Sequence, residues 1–294
     1  MSVEAQQPVP VAFLGPAGTF THAAARAFFD RAARFTEAAT IEGVFDSVRR
    51  GDARFGVAPI ENSSEGSVTQ TADELVEGGA LIQREIVLPI THCLLSSVSS
   101  VSSTSRGAPR GADPVLAGIT RVYSHPQALG QCRAWLAANL ANAELVPTSS
   151  TAAAAREAAR DPTSAAIGSA LAGEIHALPV VRRAIQDHQG NATRFVLLAT
   201  EDGARTGRDK TTLVFSLRDG RGALLRVLEV FDAHAINLSR IESRPSRQKA
   251  WDYVFLVDLE GHREDENVKG LLAGLAERCP MVRSLGSYPR AVEI

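Results

Sequence analysis

Along the first 200 residues, short runs of β-branched and aliphatic side chains alternate with alanine-rich stretches whose apolar positions recur at helical spacing. Strands taking turns with helices predict an α/β fold with a largely parallel sheet. "VPVAFLG" (9–15) reads as a first strand and "HAAARAFFDRA" (22–32) as a helix that buries Phe28 and Phe29. "VFDSVRRG" (44–51) is a second helix stopped by glycine, "ARFGVAPIE" (53–61) a strand running into a loop, and "REIVLPITHCLLSS" (84–97) a long extended segment. Further strand and helix pairs follow in "ITRVYSHPQALGQCRAWLAAN", "AELVPTSSTAAAAREAARD" and "AAIGSALAGEIHAL". Residues 96–114 are rich in Ser, Gly and Pro and show no apolar period, which predicts a flexible surface loop or insertion without chemistry of its own.

The pattern changes at "TEDGARTGRDK" (200–210), a polar linker. Beyond it the periodicity predicts a strand at 211–219, a helix at 222–235, strands at 237–246 and 250–261, a helix at 265–278 and a strand at 281–289. That βαββαβ order predicts a small α+β domain in which both helices cover one face of an antiparallel sheet. Leu224, Leu228, Phe231 and Ala235 form the expected apolar face of its first helix.

Composition narrows the function classes. At 294 residues the chain has room for two or three domains. A formal net charge of -2 gives no electrostatic reason to expect nucleic acid or an anionic membrane as partner. Cys93, Cys132 and Cys279 are far apart and form no CxxC pair, so neither a disulfide framework nor a metal site is expected. No run approaches the roughly 18 apolar residues of a membrane span. "MSVEAQQPVPVAFLG" lacks the basic segment and sustained apolar stretch of a signal peptide. The expectation is a cytoplasmic protein that handles a small molecule.

Five segments carry candidate chemistry. "GPAGTFTHAAA" (15–25) sets a glycine-rich turn and Thr19 before a helix, where unpaired backbone donors attract anions; an ordinary capped βα turn has the same look. It matches neither a phosphate-binding loop nor a dinucleotide fingerprint, and no cofactor is implied. "APIENSSEGSV" (58–68) places Glu61, Asn62 and Ser63 at a strand end, suited either to recognising carboxylates and hydroxyls or to an Asx-type turn. "YSHPQALGQC" (123–132) runs through His-Pro into a helix, with Gln127 near its start and His125 better read as a structural cap than as a base. "PTSSTAAAA" (147–155) opens another helix with Ser149, Ser150 and Thr151, and "GNATRF" (190–195) sets Thr193 and Arg194 at the mouth of the apolar run Phe195-Val196-Leu197-Leu198. Ligands bind beyond the carboxyl ends of strands in open α/β sheets, so these helix starts, amides and hydroxyls converge on an anionic small molecule held by hydrogen bonds.

In this order, "FLGPAGTFTHAA", "GVAPIENSSEGSV", "YSHPQALGQC" and "NATRF" closely resemble the prephenate dehydratase family. "GALL" (222–225) and "NLSRIESRP" (237–245) resemble the ACT domain that follows this enzyme, so the match spans roughly residues 11–290. The resemblance implies conversion of prephenate to phenylpyruvate in phenylalanine biosynthesis, with loss of carbon dioxide and the ring hydroxyl. It implies two α/β lobes like a type II periplasmic binding protein, lobe one holding about 1–90 and 180–200 and lobe two about 91–179, within a catalytic domain of residues 1–200. The regulatory domain is then 210–294. Arogenate dehydratase and a non-catalytic amino-acid sensor are the alternatives. No helical chorismate mutase domain is expected before Phe13.

By the same resemblance Thr193, Asn62 and Gln127 are the catalytic candidates, Thr193 assisting the departing hydroxyl. Thr19, Glu61, Ser63, Ser149, Thr151, Arg194 and Phe195 are the candidates for holding substrate. Strand alternation sets a constraint among these: Thr193 and Phe195 share a face, and Arg194 points to the other as a support paired with an acidic group or carbonyls. Gly222, Ala223, Leu224, Asn237, Leu238, Glu242 and Ser243 are expected to bind L-phenylalanine between two ACT domains, in a homodimer or homotetramer. Arg221 departs from the proline often found in related sequences.

Overall fold

A computed structural model describes residues 8–29, 33–98, 113–246 and 253–291. Most of the 96–114 segment, the last residues of the helix expected at 22–32 and the first of the strand expected at 250–261 lie outside them. The chain opens with β1 (Val9–Leu14), α1 (Phe20–Phe29), β2 (Ala33–Ala38), α2 (Ile41–Arg49), β3 (Phe55–Asn62), β4 (Gly66–Ser67), α3 (Thr69–Glu77) and β5 (Leu81–Pro89). On α2 the apolar residues Ile41, Val44, Phe45 and Val48 recur at helical spacing and are all buried, and Thr40 caps the helix by accepting from the Gly43 amide at 3.0 Å. Helix α1 starts earlier than expected because the Thr19 hydroxyl caps the His22 amide. It buries Thr21, Ala24 and Ala25 against the sheet and leaves Phe28 and Phe29 half-buried, since small residues let a helix lie close to a sheet.

The extended segment expected at 84–97 breaks after Pro89, where the chain leaves the first sheet. A second lobe follows as β6 (Cys93–Leu95), α4 (Pro114–Ala117), β7 (Arg121–Ser124), α5 (Pro126–Gln131), α6 (Arg133–Asn139), β8 (Glu144–Pro147), α7 (Thr151–Ala158), β9 (Ser164–Gly168), α8 (Ala170–Ile175) and β10 (Val180–Arg182). The chain then returns as β11 (Ala192–Ala199). The first sheet has the order β2-β1-β3-β11-β5, with β4 paired to β3, and the second the order β10-β6-β9-β7-β8. Both are mixed rather than largely parallel: β11 runs antiparallel between β3 and β5, and β6 runs antiparallel to β9. The return also comes later than 180, because β10 pairs with β6 and Ile185 packs in the core of the second lobe. The two crossing segments are joined where the Ile90 amide donates to the Asn191 carbonyl at 2.8 Å.

The C-terminal unit runs β12 (Asp209–Ser216), α9 (Ala223–Ala233), β13 (Leu238–Pro245), β14 (Tyr253–Glu260), α10 (Glu266–Arg278) and β15 (Met281–Pro289), with sheet order β13-β14-β12-β15. Both helices cover one face, over Leu213, Phe215, Val257 and Leu259. On α9 the buried side chains are Val227, Val230 and Phe231; Leu224 and Leu228 are half-buried, and Ala235 lies past the helix end, exposed at positive φ. The opposite face of this sheet, with Val214, Leu256 and Tyr288, shares a core with Ile82 and Val196 of the first lobe. The C-terminal sheet is thereby docked against the sheet that contains β11.

Close docking depends on glycine. A Cβ on Gly286, whose φ is 135°, would overlap the carbonyl oxygen of Ile82 and come within 2.6 Å of its nitrogen. Gly286→Ala therefore combines backbone strain with a clash that no side-chain rotation relieves, and a loss of about 3 kcal/mol is expected. Urea unfolding checks this, and a midpoint equal to the parent's would show that β15 and β5 separate freely.

Candidate active site

A cavity of about 420 Å³ lies between the lobes, where the crossing segments meet. From the first lobe it is lined by Thr19 and Phe20 at the start of α1, and by Asn62 at the end of β3. The second lobe adds Gln127 and Gln131 on α5 and Ser149, Ser150 and Thr151 at the start of α7. The crossing segments supply Ile90, His92 and Asn191, and β11 supplies Thr193 and Phe195. Gly18, at φ 91°, lets the lobes touch beside it: a Cβ there would sit 3.1 Å from Ala172, and the Ser169 hydroxyl donates to its carbonyl at 2.6 Å.

Hydrogen bonds give this wall a direction. The Asn62 carbonyl oxygen accepts from the amides of Ser64 (2.9 Å) and Glu65 (3.2 Å), which fixes which end of the side chain is the donor. Its NH₂ then donates to Thr193 Oγ1 at 2.8 Å and to Asn191 Oδ1 at 3.1 Å. Asn191 in turn donates to Gln131 Oε1 at 3.1 Å, and His92 Nε2 meets the same oxygen at 2.8 Å, so His92 carries its proton on Nε2. Because Asn62 fills a lone pair of Thr193, the Thr193 proton is free to be given to a ligand. Asn191, Gln131 and His92 were not singled out in the sequence. Gln131 lies four residues after Gln127 on one face of α5, a usable signal, whereas His92 sits in an apolar run that gives none.

Among the described residues, no Asp, Glu, Lys or Arg lines the cavity. Ser150 caps α7 by accepting from the Ala153 amide at 3.0 Å, and with Ser149 and Thr151 it brings the start of this eight-residue helix to the cavity wall. His125 caps α5, accepting from the Gln127 amide at 3.4 Å, and also lines the cavity. Burial pushes the His92 imidazole below its ordinary value of 6.5, with the Gln131 hydrogen bond opposing.

Three expected substrate contacts lie elsewhere. Arg194 turns to the opposite face of β11, because side chains alternate along a strand, and forms a buried ion pair with Glu85 at 2.6 Å. Glu61 follows it, 3.4 Å from the guanidinium. The Ser63 hydroxyl is occupied with the crossing segment, accepting from the Ala192 amide at 2.9 Å. Gln127 lines the cavity, but its side chain makes no hydrogen bond among the described residues.

A second cavity, about 530 Å³, opens on the C-terminal domain and is lined by Gly222, Ala223, Leu224, Ser243, Tyr253 and Phe255 among others. Gly222 is the N-cap of α9 at φ 74°, a left-handed conformation that suits glycine. Asn237, Leu238 and Glu242 do not line it. Glu242 faces the catalytic lobe instead, accepting from the Ser67 hydroxyl at 2.7 Å and from Arg244 at 2.8 Å.

The family model for prephenate dehydratase matches residues 11–203, and that for the ACT domain matches residues 211–277. The chain is 44% identical over 287 residues to a bifunctional chorismate mutase/prephenate dehydratase of Aquifex aeolicus, covering 98% of this chain and 75% of that protein. It is 36% identical over 285 residues to a prephenate dehydratase of Amycolatopsis methanolica, covering 96% and 88%. The structure of a prephenate dehydratase from Arthrobacter aurescens in complex with L-Phe superposes with a TM-score of 0.82 at 39% identity, over 96% of this chain and 90% of that one.

The depressed His92 yields a pH prediction. Its neutral form is the one the fold accommodates, so its stabilisation is complete above pH 6.5 and is lost as pH falls towards the folded-state value. His22 and His176 are depressed in the same direction. Between pH 7.5 and 5.5 the urea midpoint should fall, and His92→Gln should lessen the slope by at most about 1.4 kcal/mol per pH unit. An unchanged slope in the variant would assign the effect to the other histidines.

Proposed function

The chain belongs to the prephenate dehydratase family, and we propose that its interlobe cavity carries out the family's elimination with Thr193 as donor to the leaving hydroxyl. Breaking the bond to the ring carboxylate of prephenate sends its electron pair into the ring. The bond to the hydroxyl breaks at the far end, and with one proton taken up the products are phenylpyruvate, carbon dioxide and water. Aromatisation drives the reaction, so the protein's part is to orient both breaking bonds and to stabilise the departing oxygen.

The observation that carries this reading is the 2.8 Å hydrogen bond from Asn62 to Thr193 at the cavity wall, which makes Thr193 Oγ1 an acceptor there and leaves its proton for a ligand. Asn191, Gln131 and His92 brace that pair. The side-chain carboxylate of prephenate is assigned to the start of α7, with Ser149 and Thr151, and the start of α1 with Thr19. The ring carboxylate faces Phe20, Ile90 and Phe195, where poor solvation favours its loss as carbon dioxide. Among the described residues no acidic side chain lines the cavity to pair with an ammonium group, which supports the keto acid prephenate over arogenate as substrate.

We assign L-phenylalanine to the second cavity, supported by its place beside Gly222 and by the L-Phe complex of the Arthrobacter enzyme. Strand β13 is a sheet edge, and Leu225, Ile241 and Tyr253 are 62%, 47% and 47% exposed. An unpaired edge beside exposed apolar side chains supports pairing with a second copy, as a homodimer or homotetramer in which Asn237 and Leu238 could close the site. No helix among the described residues is long and apolar enough to cross a membrane. We place the enzyme in the cytoplasm on its similarity to biosynthetic dehydratases.

With prephenate as substrate, Thr193→Ala should lower kcat by about 10²-fold or more while KM changes little, and Thr193→Ser should recover much of the loss. Phenylpyruvate absorbance measures this, and near-parental turnover of the alanine variant would remove Thr193 from the mechanism. Added L-phenylalanine should raise the melting temperature and change the rate; no change in either would empty the regulatory assignment.

A further inference from the structure

We propose that the regulatory domain supplies positioning residues for the catalytic strand: Asp258 and Tyr288, acting through Arg194, hold Thr193 at the cavity wall. The proposal rests on the reading of Thr193 given above and extends it across the domain boundary.

Arg194 follows Thr193 on β11, and besides the 3.4 Å contact with Glu61 on β3 its three nitrogens make their short hydrogen bonds to three further strands. Nε donates to Glu85 on β5 at 2.6 Å, Nη1 to Asp258 on β14 at 2.6 Å, and Nη2 to the Tyr288 hydroxyl on β15 at 2.9 Å. Two of the three anchors therefore belong to the C-terminal domain. They are fixed to each other, because Thr212 Oγ1 donates to Asp258 Oδ1 at 2.7 Å and lies 2.7 Å from the Tyr288 hydroxyl. Lys210 completes the charge balance on Glu85 at 2.9 Å. Asp258 is 1% exposed and Tyr288 fully buried, so no water can replace either anchor.

The strand needs such anchoring at this point. Along β3 the register slips between Arg194 and Phe195, which face Glu61 and Pro59 and leave Ile60 as the extra residue. A bulge loosens the ladder on that side and re-aims side chains near it, and Thr193 lies one residue before the slip. The ladder to β5 is continuous here, but a catalytic donor must be held to a fraction of an ångström, and the guanidinium adds a side-chain fastening to a strand that is regularly paired on one side only. Two other contacts between the domains end on α3, away from Thr193: Arg283 reaches the carbonyl of Val76, and Arg244 the carboxylate of Asp73.

The test compares Tyr288→Phe and Asp258→Asn with the control Arg283→Met in the full chain, with prephenate, each well below its own melting temperature. Both anchor variants should lower kcat at least tenfold with KM within twofold, while the control changes kcat less than twofold. In a Thr193→Ala background Tyr288→Phe should cost nothing further, because the anchor acts through Thr193. Arg194→Lys, which keeps the cation and loses the fork, carries the same expectation if an anchor variant fails to fold. Parental kcat in the anchor variants, an equal loss in the control, or full additivity with Thr193→Ala would overturn the proposal. If Thr193→Ala is itself fully active, the failure lies with the active-site reading instead.

Discussion

A strand buried on both faces has nowhere to leave a charge, and β11 carries one at Arg194, which is 8% exposed. That constraint organises the molecule. Burial alone would disfavour the guanidinium's charged form, but Tyr288, Asp258 and Glu85 around it reverse the balance and raise its proton affinity. Asp258 responds in the opposite sense: burial would raise it, and Arg194 beside it holds it below the usual carboxylate range. Removing one member of such a cluster strands the others without water, so the first lobe and the C-terminal sheet are bound to remain together. The strand that brings Thr193 to the cavity is on its other face part of the domain interface.

Much of this was legible in the sequence because it follows from periodicity. The alternation of strands and helices and the βαββαβ order of the last 85 or so residues are visible in the apolar pattern. Two-residue alternation alone separates Thr193 and Phe195 from Arg194. The same parity explains a miss, since Ser243 lines the second cavity while neighbouring Glu242 points at the catalytic lobe. Other misses are long-range. Nothing local marks β11 as an antiparallel insertion, or β10 as belonging to the second lobe, because both depend on partners about 85 to 140 residues away. Asn191 and His92 are joined through Gln131, and only the crossing of the two segments brings them together.

The second cavity and the buried charge cluster share a strand. Phe255, which lines the cavity, lies three residues before Asp258 on β14, and the stacked pair Phe215–Phe255 ties it to β12, where Thr212 is found. A ligand can act on a distant site only if it favours one arrangement of a shared element. In this fold β14 is the shared element, paired on both edges and carrying Phe255 and Asp258 at positions of opposite parity.

The absence of arginine and lysine from a cavity assigned to a dianion follows from the chemistry. A guanidinium paired with the ring carboxylate would stabilise the ground state, and that pairing would have to be surrendered as carbon dioxide leaves with no charge. Only interactions stronger in the transition state than in the bound substrate accelerate the step. Helix-start amides and hydroxyls can hold the carboxylate that stays, while an apolar wall faces the one that departs. In the proposed reaction the hydroxyl gathers negative charge, and Thr193 is the donor proposed to meet it. Arg194, its neighbour in the chain, turns away from the cavity into the buried ion pairs with Glu85 and Asp258.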